Sequence, residues 1–178
     1  RSGGNEFHGD FQTLYNSTAT QIYKPLPDED PDEEPENSQL SMAANLGGPI
    51  AKDRLWFFVS AQTNINNSTY SVPADVNRPE PMQTEEWRSA YLFGKLTWRP
   101  NASHRVWVQA QNDPTRITNA ARSIYTLPSA EIYWSQGGWL GSVGHNWTPS
   151  SAVLVESQVY AQNSYLGYIP QAWRDCNN

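Results

Sequence analysis

The sequence predicts an all-β protein built as an antiparallel up-and-down meander of about seven strands, and three observations carry that expectation. Apolar residues recur with a period of two. Connections alternate long and short along the chain. Trp and Tyr gather near the ends of the alternating segments, although a mean hydropathy of -0.69 is that of a water-loving chain.

Alternation is weak but present from Glu6 to Asn16 and from Gln39 to Leu46. It is strong from Leu55, where Leu55, Phe57, Val59 and Ala61 share one face and Trp56, Phe58, Ser60 and Gln62 the other. Ala90, Leu92, Gly94, Leu96 and Trp98 likewise oppose Tyr91, Phe93, Lys95 and Thr97. Val106, Val108 and Ala110 oppose Arg105, Trp107, Gln109 and Gln111. A weaker run spans Gly138 to Trp147, and Val153, Val155, Val159 and Ala161 then oppose Glu156, Gln158, Tyr160 and Gln162. Each segment therefore has one apolar face and one face of amide, hydroxyl or charge.

Three connections are short: Lys52-Asp53-Arg54, Arg99 to His104, and Thr148 to Ser151. Three are long and polar, at about 18–37, 66–86 and 113–134. In a meander their strict alternation puts every short turn at one end and every long loop at the other, which is the arrangement of outer-membrane barrels. The strands are expected to run roughly 9–11 residues, the length of a tilted bilayer crossing. A half-repeat supports the hairpin unit: Trp98-Arg99-Pro100 and Trp147-Thr148-Pro149 are both followed by a Val-x-Val pair. A propeller blade has a similar period but needs four short strands per unit.

Trp56, Trp98, Trp107 and Trp147 lie near short turns, and Trp87, Tyr133 and Trp134 border long loops. Rings at both strand ends are what the two water interfaces of a bilayer select, whereas a packed core would place them at mid-strand as often. Half-polar strands and wet loops then account for the low hydropathy.

Composition excludes several classes. No apolar run approaches the roughly 18 residues of a membrane-spanning helix. Three His and one Cys among 178 residues leave no disulfide framework and no zinc-type cluster. A net charge of -6 offers no field for nucleic acid. Seven of the 18 acidic residues lie between Asp28 and Glu36, and without them the net charge is about +1. Asp28, Asp30 and Asp32 alternate as in calcium loops, but the turning glycine is missing and Pro31 and Pro35 stiffen the run, so a solvated loop is the expectation.

No catalytic constellation is found, and a non-enzymatic role without cofactor is expected. His8, His104 and His145 have no partners at metal spacing, and Cys176 receives no role. Gly47-Gly48-Pro49 precedes a strand turn, not a helix, so turn geometry explains it. Any ligand contacts are expected from the long loops, which carry Arg78, Arg116, Arg122, Tyr125 and Tyr133, although solvated loop residues explain these as well. No ligand-binding residue is assigned.

Two stretches of sequence go further. Arg1-Ser-Gly-Gly-Asn-Glu-Phe-His-Gly9 and, after one long loop, Asn45-Leu-Gly-Gly-Pro-Ile-Ala-Lys-Asp-Arg-Leu-Trp-Phe-Phe58 together resemble the start of the barrel in TonB-dependent outer-membrane receptors, particularly the Oar-like group. The likeness is strongest over Arg1 to Phe58 and continues more loosely to about Ala161. It implies part of a barrel of about 22 strands in the cell outer membrane, contacting outer-membrane lipid, with its own plug domain in the lumen. It also implies energy-coupled import of a surface-bound ligand, driven by an inner-membrane complex. Residues 1–178 are then a partial barrel domain, a fragment from which the plug and the C-terminal strands are absent. The alternative is a secreted or surface β-rich adhesion or carbohydrate-binding module. Leu92, Leu96, Val106, Val108, Val153 and Val155 separate the two: they form an outward apolar band in the first and face a second sheet in the other.

Overall fold

The computed structural model describes residues 4–20, 36–69, 83–121, 123, 125–170 and 172–173. These form one antiparallel sheet of eight strands: β1 (His8–Ser17), β2 (Glu36–Ala51), β3 (Leu55–Thr69), β4 (Glu85–Asn101), β5 (His104–Asn112), β6 (Thr115–Ala120), β7 (Ile132–Ser150) and β8 (Val153–Pro170). Single turns of 3-10 helix occur at Thr18–Thr20 and Pro128–Ala130.

The extra strand is a break, not an eighth crossing. β5 pairs with the lower part of β4 and of β7, and β6 with their upper parts. Leu92 pairs with Asn112 and Ser89 with Thr115, three steps on each strand, so the register does not shift across the break. Pro114 causes the interruption because it has no N–H for the ladder; its carbonyl still accepts from Ala90 N at 3.0 Å. The meander thus has seven crossings, in the expected order. All short turns lie at one end of the sheet, and the strand ends that the long connections join lie at the other.

Two expectations are corrected. Most strands run well past 9–11 residues, to 19 in β7 and 18 in β8, because the ladder continues beyond the span that lipid requires. The expected loops at 66–86 and 113–134 shrink accordingly: β3 reaches Thr69, β4 begins at Glu85, and Thr115–Ala120 is strand.

Cross-strand pairs share a face, so the register sorts the side chains. On one side lie Val59, Ala61, Leu92, Leu96, Trp98, Val106, Val108, Val143, Val155 and Val159, linked by pairs such as Leu96 with Val108 and Val143 with Val159. On the other lie Gln62, Asn64, Ser89, Tyr91, Gln109, Gln111, Ser142 and Gln162. Side chains of the polar face crowd together in the central strands, with Thr97 only 2% and Ser142 only 4% exposed, whereas Leu92 is 50% and Val159 75% exposed. Crowding on one face and splaying on the other means that the sheet curves with its polar face concave.

Burial is therefore inverted relative to a protein folded in water. Among the described residues only Ile117 and Ala120 are buried hydrophobics. Leu92, Leu96, Val106, Val108, Val153 and Val155 all lie on the convex face, and among the described residues no second sheet packs on them. Between the Trp98 and Arg88 levels the charged residues of the strands, Asp10 and Lys95, turn to the concave face, as do Arg105 and Glu156 just below. Such a surface is stable against hydrocarbon.

Candidate functional site

With lipid on the convex side, the concave face is the one left for a ligand, and it has two zones. The zone near the short turns is aromatic. Thr97 pairs with Trp56 on one side and Trp107 on the other, which explains its burial. Trp107 lies over Gly144, where a Cβ would stand 2.2 Å from the indole, and Lys95 Nζ sits 5.1 Å above the same ring. The Phe58 and Phe93 rings meet at 6.0 Å, tilted by 59°. Asn146 Nδ2 donates to Glu156 Oε1 at 2.9 Å.

The zone toward the long loops is amide and hydroxyl. Ser41 Oγ donates to Asn64 Oδ1 at 2.8 Å, and Asn64 Nδ2 donates to Ser89 Oγ at 3.4 Å, so one chain of bonds crosses β2, β3 and β4. Tyr91 OH donates to Gln111 Oε1 at 3.2 Å. Here the wall forms a concavity of about 760 Å³, lined among others by Gln62, Asn64, Tyr91, Gln111, Gln136 and Gln162. Its one charged lining residue is Asp113, whose Oδ1 already accepts from Gly138 N at 2.9 Å. A surface with a single carboxylate and many neutral donors and acceptors suits a neutral, hydroxyl- or amide-bearing solute.

The loop residues singled out in the sequence do not converge there. Arg116 lies on β6 and Tyr133 on β7, both on the convex face, and Tyr125 is 92% exposed. Arg78, Arg122, the acidic run 28–34 and Cys176 lie outside the described residues. The luminal set was missed because its hydrogen-bonded partners are 20 or more residues apart and only cross-strand register joins them.

The histidines separate. His8 lies on β1 with its pair Gly47. His104 and His145 meet on the convex face near the short turns, Nδ1 to Nε2 at 3.0 Å, beside the Trp147 ring. No cluster of three metal-ligating side chains occurs among the described residues.

The aromatic belt is corrected in part. Trp98, Trp147 and Tyr133 face outward, but Trp56, Trp107, Trp87 and Trp134 turn to the concave side. The outward upper row is instead supplied by Tyr15, Trp139 and Tyr165.

No curated protein and no solved structure matches the chain. A family model described as an outer membrane beta barrel domain matches residues 1–131. The curved sheet, its outward apolar face and this match agree: the chain belongs to the outer membrane β-barrel domain family and resides in the outer membrane.

Proposed function

We propose that this wall is part of a TonB-dependent, Oar-like receptor that captures a neutral polar solute at the cell surface and imports it in an energy-coupled, non-enzymatic way. The observation that carries the ligand class is the concavity around Asn64, Tyr91 and Gln111, lined by amides and hydroxyls with Asp113 as its one charged residue, on the face turned from lipid and toward the long-loop end. Energy coupling rests on the resemblance over Arg1 to Phe58. In this reading the aromatic zone around Trp56, Phe58, Phe93 and Trp107 is where a plug domain packs, and an inner-membrane complex drives its movement.

The test uses cells carrying the full-length protein and a panel of fluorescent neutral oligosaccharides. Accumulation that stops with an uncoupler while surface binding persists is the expected result. Binding without import points to adhesion, and import insensitive to the uncoupler points to a passive pore.

A further inference from the structure

On the convex face, Arg88 of β4 and Arg116 of β6 are direct cross-strand partners. Like charges in that relation oppose pairing. Arg88 is partly compensated, since its Nη2 donates to Glu86 Oε2 at 3.0 Å. Arg116 makes no ion pair among the described residues. The two guanidiniums therefore leave a positive gap that an anion held between them would neutralise.

Their height identifies the anion. Trp98 marks the lower aromatic row of the same face of β4, ten residues from Arg88. At roughly 3.3 Å per residue and a tilt of about 40°, ten residues rise roughly 25 Å, the height of an outer-membrane apolar band. Between these levels the convex face of β4 carries Ala90, Leu92, Gly94 and Leu96 and no charge. The first cations above the hydrocarbon thus stand at the level of outer-leaflet headgroups. The row they occupy runs Tyr15, Leu40, Ile65, Arg88, Arg116, Ser135, Gly167. Apolar side chains flank the pair on one side; a hydroxyl and a residue without side chain lie on the other, which leaves room for a headgroup. Arg is the side chain whose planar fork matches phosphate oxygens.

We propose that Arg88 and Arg116 bind the phosphate of an outer-leaflet lipid headgroup and thereby form a lipid site on the outside of the wall, separate from the luminal concavity. The carboxylate of Glu86 keeps Arg88 oriented and limits the site to one strongly held phosphate. Arg116 supplies the uncompensated charge.

The experiment titrates the full-length protein in neutral detergent with diphosphoryl lipid A, its dephosphorylated form and inorganic pyrophosphate, reading bound species by native mass spectrometry. Diphosphoryl lipid A is expected to bind at least tenfold more tightly than either of the others. Arg88→Gln/Arg116→Gln loses that advantage, while Arg105→Gln, on the concave face, keeps it. Arg116→Gln alone breaks no ion pair, so its melting temperature without lipid equals or exceeds that of the unsubstituted protein while its lipid affinity falls severalfold. Undiminished lipid affinity in Arg116→Gln overturns the proposal even if the double variant fails to fold. Pyrophosphate binding as tightly as the lipid overturns it too, since the site would then take a free anion.

Discussion

Asn5 grips Asp53 from two sides: its amide oxygen accepts the Asp53 backbone N–H at 3.0 Å, and its amide nitrogen donates to the Asp53 carboxylate at 2.5 Å. The same oxygen accepts Trp56 Nε1 at 2.9 Å. Asp53 has φ of 62°, a conformation that Asp and Asn tolerate better than other side chains. Phe7 reinforces the joint by covering Gly48, where a Cβ would stand 2.4 Å from its ring, and by meeting Phe57 at 6.2 Å. The two sequence stretches that resemble a receptor's barrel start are thus in contact. Asn5→Ala is expected to cost about 1–2 kcal/mol, read as a lower unfolding midpoint of the full-length protein in detergent. Asp53→Asn should stay near the unsubstituted value, and Asp53→Val should fall furthest.

Trp107 fills the space that Gly144 leaves. Gly144→Ala is therefore expected to push the indole off the sheet and away from Lys95, at a cost of about 1–3 kcal/mol. Tryptophan emission and near-ultraviolet circular dichroism report the displacement. In the Trp107→Ala background the same substitution should cost far less, and equal costs in both backgrounds would show that the contact is not the cause.

The assignment of faces can be tested with one charge placed twice at one height. Leu92 is convex, and Gln111 sits on the concave face close to the same level. Leu92→Arg should destabilise insertion into lipid by about 2–4 kcal/mol, whereas Gln111→Arg should cost little. Unfolding titrations in liposomes measure both, and the opposite order would reverse the sheet.

Inverted burial sets the solvent requirement. The 178-residue chain is expected to stay in solution only with detergent or lipid, because Leu92, Leu96, Val143 and Val159 are exposed on the convex face. Size-exclusion chromatography with and without detergent checks this; a stable monomer in plain buffer would contradict the lipid-facing band.

Much of the fold was legible from alternation and loop rhythm, because both depend on single strands and on chain order. Alternation puts Val106 and Trp107 on opposite faces, yet nearness to a short turn marks both Trp98 and Trp107 as interfacial. Position along a strand tells a ring's height, and only parity tells its side. A luminal Trp107 is tolerated because Gly144, 37 residues later, makes room for it, and no local pattern announces that. Pro114, following the polar stretch Gln111-Asn112-Asp113, hides β6, and Thr115 to Thr118 with its single apolar residue reads as loop. The luminal site was the least legible part, since Ser41, Asn64 and Ser89 become neighbours only once β2, β3 and β4 are in register.

The uncharged convex band between the Trp98 and Arg88 levels also fixes the chain to one membrane thickness. Rings below and guanidiniums above resist sliding in either direction, so a thicker or thinner bilayer must be met by strand inclination or by local deformation of the lipid. Each ångström of hydrophobic mismatch costs a fraction of a kcal/mol, and along a wall of seven crossings those fractions add. The protein is in this sense a gauge of its own bilayer, and lipid of the wrong thickness should strain the wall before any ligand reaches it.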